Sequence, residues 1–266
     1  MKRICTLLLC ALLLCLTVCV IAEDEFTLRG YDKKAGGYQY IQLGEFPQDA
    51  DSTVRPILWR VLSVEDDQAY LLSEYVLFNN RIHPDDKEYI AFNGAFNQTE
   101  MFKLLNGPFE GKPVSLEERA ELLKDWRVGR VHIAVASFKE QAFTEKELEM
   151  LITDEELGTV FLAAANDLKN SQYGFVSDKA RKAYGSEYAK ANGLFVYQNG
   201  SSPYWTRTQS SSHTYGTRCT KVEGSIGYIR CVVMNEGCRP AIRLNLKNLK
   251  PLGGSGVKDD PFVFSR

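Results

Sequence analysis

The sequence predicts a single mixed α+β domain with a strand-rich C-terminal half and several short helices. Three observations predict it. Short apolar runs punctuated by turn residues recur from residue 38 to the end, capped helical patterns fall between them, and no linker or repeat divides the chain. The 266 residues are 44% hydrophobic, 25% charged and 11% aromatic, a profile that suits one large globular domain.

The N-terminus reads "MKRICTLLLCALLLCLTVCVIAEDEF": a basic start, an uncharged run over 4–22, and small Ala22 before Glu23. Residues 1–22 are expected to direct export and to be cleaved as a signal peptide. An uncleaved membrane anchor and a lipid-modified Cys19 are the competing readings, and all three place the domain outside the cytoplasm, secreted or in the cell envelope. Cleavage leaves 30 basic and 34 acidic side chains, a net charge of −4, which offers no basic field for nucleic acid. Residues 23–37 read as a polar lead-in and 38–266 as the domain.

Within the domain, "YQYIQLGEFPQ" predicts a strand stopped by Pro47. "RPILWRVLSVEDDQAYLLSEYVL" predicts strand, turn and strand, with apolar residues on both faces of the first run, so that run should lie inside a sheet. Arg60 interrupts it and needs a carboxylate or carbonyl partner. Thr99 caps "TEMFKLLNG". Capping boxes pair Ser115 with Glu118 and Thr144 with Glu147, and Phe143 can staple onto Leu148. "GRVHIAVASF" reads as a strand, as does "GTVFLAAA". One helix is expected from Ser177 to Gly193. Strands follow in "GLFVYQ", "PYWTRTQ" and "CRPAIRLNL", the last with Ile242, Leu244 and Leu246 alternating with Ala241, Arg243 and Asn245.

Cleavage also leaves three cysteines. A hairpin centred on Ser225 would set Cys219 opposite Cys231 for a disulfide, leaving Cys238 as a buried free thiol. Zinc-type CxxC or HxxxH spacing is lacking. Trp205 and Arg207, two apart in a strand, offer either an aromatic plate beside a cation or a core tryptophan with an internally paired arginine, and the second reading is favoured. Arg239, held extended before Pro240, is likewise read as structural. His83, His132 and His213 are isolated. Neither a P-loop, a GxGxxG, an HExxH nor a GxSxG is present, so no catalytic residue is assigned. Acidic clusters at 65–67, 84–88, 153–156 and 259–261 lack EF-hand spacing. No cofactor or metal is assigned, and calcium is retained only as a candidate.

The series "LGEFPQ", "RPILWRVL", "YLLSEYVL", "FKLLNGPF", "SLEERAEL", "TVFLAAAND", "YWTRT" and "GCRPAIRLNL" resembles a bacterial domain-of-unknown-function family, the DUF6273 type, over about residues 38–250. Family marks of the form W-L-N, W-L-R-S and G-V-R-P fall here on Leu104–Asn106, Trp205–Thr208 and Gly237–Pro240. The resemblance implies strands at Trp205, Arg207 and Arg239. Its layout is similar to C-type-lectin-like folds, which include the formylglycine-generating enzymes, although Cys219, Cys231 and Cys238 do not sit in a motif matching their active cysteines. Fold likeness transfers no activity. The expectation is a non-catalytic binding or surface-interaction module for a glycan, cell-wall component or protein, touching a membrane only through its N-terminus. Any binding face is expected near Trp205, the 210–216 loop and the 224–227 turn. A formylglycine-type or hydrolytic enzyme and a structural envelope protein are the alternatives.

Overall fold

The β2–β3 hairpin organises the molecule. In the computed structural model, which describes residues 26–107, 137–247 and 249–264, β2 (Val54–Glu65) pairs on one side with β1 (Tyr40–Pro47) and on the other with β3 (Gln68–Ser73). Ile57, Trp59, Val61 and Leu62 are buried along it, as an inner strand requires. Trp59 Nε1 donates to the Leu43 carbonyl at 2.8 Å. At Gly44, β1 bulges with φ of 69°, and a Cβ there would lie 2.7 Å from the Ala142 carbonyl and the Phe143 ring.

The first sheet runs β13-β1-β2-β3-β12-β5, with β5 at Val160–Leu162, β12 at Pro240–Asn245 and β13 at Phe262–Val263. A second runs β10-β9-β8-β11-β4, comprising β4 (Phe78–Asn79), β8 (Tyr204–Gln209), β9 (Gly216–Thr220), β10 (Ile226–Arg230) and β11 (Gly237–Cys238). β6 (Ala183–Tyr184) and β7 (Ser201–Ser202) form a separate pair. Both large sheets contribute to one buried apolar cluster. The chain crosses between them at Arg239, between β11 and β12. The predicted α+β class with a strand-rich C-terminal half is what the chain adopts.

The helices are short: α1 (Asp86–Ala91), α2 (Glu100–Asn106), α3 (Phe138–Ala142), α4 (Glu145–Glu149), α5 (Asp178–Arg181) and α6 (Glu187–Ala191). Thr99 caps α2 as expected, and the Thr144–Glu147 capping box opens α4. Glu147 also accepts the Gly44 N–H at 2.9 Å, tying the box to the β1 bulge. Asn106, at the end of α2, clamps β5: its Oδ1 accepts from the Thr159 and Val160 amides at 2.9 Å, and its Nδ2 donates to the Val160 carbonyl at 2.7 Å.

Several expectations change. The helix expected over 177–193 is two helices, because Ser186 caps a new start and Ala183–Tyr184 leaves the helical path to pair with β7. "GLFVYQ" forms no strand. The lead-in is partly core: Leu28 is buried, and Phe26 packs on Phe262 and Phe264. Residues 1–22, the Ser115–Glu118 box, His132 and most of the strand read in "GRVHIAVASF" lie outside the described residues. Its last two residues, Ser137 and Phe138, cap and begin α3.

The cysteine hairpin is displaced from the expected register. Gly224, with φ of 94°, takes the turn, and Lys221 donates its N–H to the Ser225 carbonyl at 2.8 Å. Thr220 therefore faces Ile226 and Cys219 faces Gly227. Cys231 lies past the strand, with its N–H on the Tyr215 carbonyl. Cys219 and Cys231 are not cross-strand partners, and Cys219, Cys231 and Cys238 are all free and buried.

Candidate functional site

On one face of the first sheet, antiparallel pairing sets Tyr70 of β3 opposite Arg243 of β12 and opposite Ser63 of β2. Ala241 lies opposite Phe161 of β5, so Phe161 shares that face two residues along from Arg243. A chain segment containing Tyr173 covers part of the face. Between them opens a cup of about 230 Å³, lined by Ser63, Glu65, Asp66, Gln68, Tyr70, Tyr173 and Arg243.

Phe161 is the floor of this region. Tyr70 stacks on it at 5.8 Å, and the guanidinium groups of Arg207 and Arg243 lie 5.6 and 5.9 Å from its ring centre. Tyr173 meets Tyr70 at 85°, with centroids 5.7 Å apart. The two arginines differ in one respect. Arg207 Nη1 donates to the Leu162 carbonyl at 2.7 Å and to Asp167 Oδ2 at 3.2 Å. The same carboxylate oxygen accepts from Tyr70 Oη at 2.9 Å and from the Ala164 N–H at 2.7 Å. Burial, followed by the Asp167 charge, pushes the Tyr70 phenol well above its ordinary range, so it stays a neutral donor. Arg243, half-buried, makes neither a hydrogen bond nor an ion pair through its side chain among the described residues.

The acidic side of the cup is the β2–β3 turn. Glu65 pairs with Gln68, leaving a two-residue hairpin loop of Asp66 and Asp67 at φ of 49° and 58°. That conformation favours Asn-Gly, so two aspartates there hold negative charge at some conformational cost.

The residues singled out from sequence go to different places. Trp205 is core, and its Nε1 donates to the Asn80 carbonyl at 2.6 Å. Arg207 supports the cup from behind through Asp167 and Tyr70. Trp205 and Arg207 do not form a plate beside a cation: the β8 register shifts after Trp205, and the Arg207 N–H goes to the Ala163 carbonyl just past β5. Arg239 is buried. Its Nε donates to the Ser73 carbonyl at 2.7 Å, its guanidinium lies 5.3 Å from the Tyr204 ring, and Nη2 has no hydrogen-bond partner among the described residues.

Arg60, the interrupting residue of β2, has found its carboxylate: it binds Glu74 through Nε at 2.9 Å and Nη2 at 2.5 Å. Lys258 reaches the other Glu74 oxygen at 2.9 Å. Burial acts to raise the Glu74 carboxyl, but the combined charges of Arg60, Arg239 and Lys258 hold it below the usual range. The 210–216 loop carries His213 stacked on Tyr228 at 3.8 Å, and His83 pairs with Glu88 at 2.9 Å.

Sequence reasoning missed Tyr70, Tyr173 and Arg243 as a group. The alternation around Arg243 did mark it as pointing away from the strand's apolar side. Burial raises the thiols of Cys219, to about 12, and of Cys231 and Cys238, so all three are protonated at neutral pH. Among the described residues no group of three or more His, Cys, Asp or Glu side chains is placed to hold a metal ion, and no helix is long and apolar enough to cross a membrane. Comparison with family models, curated proteins and solved structures finds no match to this chain.

Proposed function

We propose that this chain is an exported, non-catalytic binding module that takes a small cell-envelope ligand in the cup between β2, β3 and β12. The observation that carries the reading is Arg243: a guanidinium that lies over the Phe161 ring but makes neither a hydrogen bond nor an ion pair among the described residues, at the wall of a polar, aromatic-backed cavity whose other arginine is tied into the fold. Free guanidinium groups of this kind recognise carboxylates and phosphates. A cavity of about 230 Å³ falls below the roughly 300–1,000 Å³ typical of drug-sized ligands, which limits the occupant to a single sugar ring or a short peptide.

Export rests on the leader-like residues 1–22. The ordered motif series supports placing the chain in the DUF6273-type family with a C-type-lectin-like core. The buried, protonated cysteines favour binding over a thiol-based modifying enzyme, which needs an exposed, activated thiol.

The test is the thermal unfolding midpoint of the chain with calcium, with a chelator, and across a panel of cell-wall sugars and peptides. A ligand bound by the native state alone raises the midpoint with its saturation. At least one panel member should raise it, and Arg243→Ala should abolish the rise while leaving the ligand-free midpoint within a few degrees. A rise that survives Arg243→Ala places binding elsewhere and refutes the cup.

A further inference from the structure

We infer that the ligand of the cup is a small zwitterionic peptide with a free carboxylate and a free amino group, rather than a neutral sugar. This rests on the binding-module reading above and deepens it.

Two features of the cup point to this. The first is the state of its rings. Sugar platforms present an open aromatic face, whereas Tyr70 has one face stacked on Phe161 and is contacted by Tyr173 at 85°. Its hydroxyl is also committed, to Asp167. Tyr70 acts as a wall with little free face to offer a pyranose.

The second is the separation of charge along the strands. At the level of Tyr70, the cup presents Ser63, Tyr70 and the free Arg243 across three adjacent strands. Two residues along, at the hairpin end, it presents Glu65, Gln68 and then Asp66. Two residues of strand advance about 7 Å, and two strand spacings add roughly 10 Å across the sheet. The cationic and anionic ends are thus far enough apart at the backbone for their side chains to grip opposite ends of a dipeptide. Arg243 takes the carboxylate, Glu65 and Asp66 take the ammonium, and Gln68 and Ser63 supply polar groups for the peptide unit between. The neighbouring acids Asp154 and Asp167 leave this division intact: Asp167 is occupied by Arg207 and Tyr70, and Asp154, which feels the Arg243 charge but makes no ion pair with it, accepts the Glu156 and Leu157 amides. An anion without an ammonium group would meet repulsion from Glu65 and Asp66, and a cation without a carboxylate would leave Arg243 unpaired.

The experiment is isothermal titration of the full chain with alanyl-alanine, its N-acetyl derivative, its C-terminal amide, and N-acetylglucosamine. Alanyl-alanine should bind, and each capped form should bind about tenfold or more weakly, as expected for loss of one charge-assisted contact. The losses should be non-additive with the matching variants. Arg243→Ala should weaken the parent dipeptide but no longer distinguish it from the amide. The Glu65→Gln/Asp66→Asn double variant should no longer distinguish it from the acetylated form. Far-ultraviolet circular dichroism and the unfolding midpoint confirm that both variants are folded. Binding of alanyl-alanine that is indifferent to capping overturns the zwitterion assignment. Binding of N-acetylglucosamine alone, abolished by Arg243→Ala, overturns it while leaving the cup reading intact. Absence of binding by all four probes overturns the assignment, and the cup reading then stands or falls on the wider thermal panel.

Discussion

Glu236 gives the sharpest test of the packing, because its burial predicts a pH dependence of definite sign and size. It precedes β11 and is 6% exposed, and its Oε2 lacks a hydrogen-bond partner among the described residues. Burial raises its carboxyl to about 7, with Lys221 the charge that opposes the rise. In the unfolded chain the same carboxyl titrates near 4.5. The native state therefore holds this proton more tightly than the unfolded state does. The associated stability is complete below pH 4.5 and is lost as pH rises through about 7. A difference of about 2.5 pH units corresponds to roughly 3 kcal/mol, taking about 1.4 kcal/mol per unit. Glu236→Gln keeps the shape and never ionises. The gap in unfolding free energy between this variant and the parent should therefore shift by about 3 kcal/mol in the variant's favour between pH 4 and pH 8. For a domain of this size that is roughly 6–12 °C in midpoint. Taking the difference between the two proteins cancels the other titrating groups, and urea unfolding at a series of pH values measures it. A gap that stays flat across that range would refute the claim that Glu236 is buried as a neutral acid.

Arg207→Ala should destabilise the fold by about 1–3 kcal/mol, because it removes a charge-assisted bond to half-buried Asp167 and one to the Leu162 carbonyl; urea unfolding reads this, and Arg207→Lys should recover only part of the loss. Asn106→Ala should cost more, about 2–4 kcal/mol, since both ends of its amide are engaged by Thr159 and Val160, and a loss under 1 kcal/mol would show that the clamp on β5 is dispensable. A thiol-reactive dye should leave Cys219, Cys231 and Cys238 unlabelled in the native protein and label all three after unfolding without reductant, whereas a Cys219–Cys231 disulfide would leave a single reactive thiol among them.

What the sequence made legible was local. The inner position of β2 followed from apolar residues on both of its faces, and the caps at Thr99 and Thr144 followed from side chains that reach backbone amides three residues away. The need of Arg60 for an acid followed from the cost of burying a charge alone. The failures were non-local or decided by competition between short-range signals. In the cysteine hairpin two glycines competed for the turn, and Gly224 took the left-handed conformation, which moved the register by four residues between the partners of Cys219. The helix expected over 177–193 had good propensity, but Ser186 offered a second cap and β7 offered Ala183–Tyr184 a strand partner. The cup was the least legible feature. Its wall residues come from β2, β3, β12 and the segment before Gly174, and only the sheet register brings them together.

The stretch "YWTRT" shows why fold and site are hard to separate in this chain. β8 belongs to the second sheet through Trp205 and its pairing with Cys219, yet at Arg207 its backbone turns to the Ala163 carbonyl and its side chain to Leu162 and Asp167. Thr208 Oγ1 accepts a further bond, from the Ala165 N–H at 2.9 Å. Arg207 and Thr208 thus tie the middle of β8, which pairs with β9 again at Gln209, to the edge of the first sheet. Asp167 is the hinge of this junction, because one of its oxygens serves Arg207, Tyr70 and the Ala164 amide together. Removing Arg207 would leave that carboxylate, still held by Tyr70 and the Ala164 amide, without its compensating charge behind the cup. A substitution in the second sheet would then alter ligand affinity with no direct contact to the ligand. For a zwitterionic peptide the sign of that change is fixed by electrostatics: binding of the carboxylate end weakens, while the ammonium end at Glu65 and Asp66 is untouched. The capped dipeptides separate those two ends, so they also distinguish a loss of affinity caused by the uncompensated charge from a general loosening of the sheet, which would weaken both.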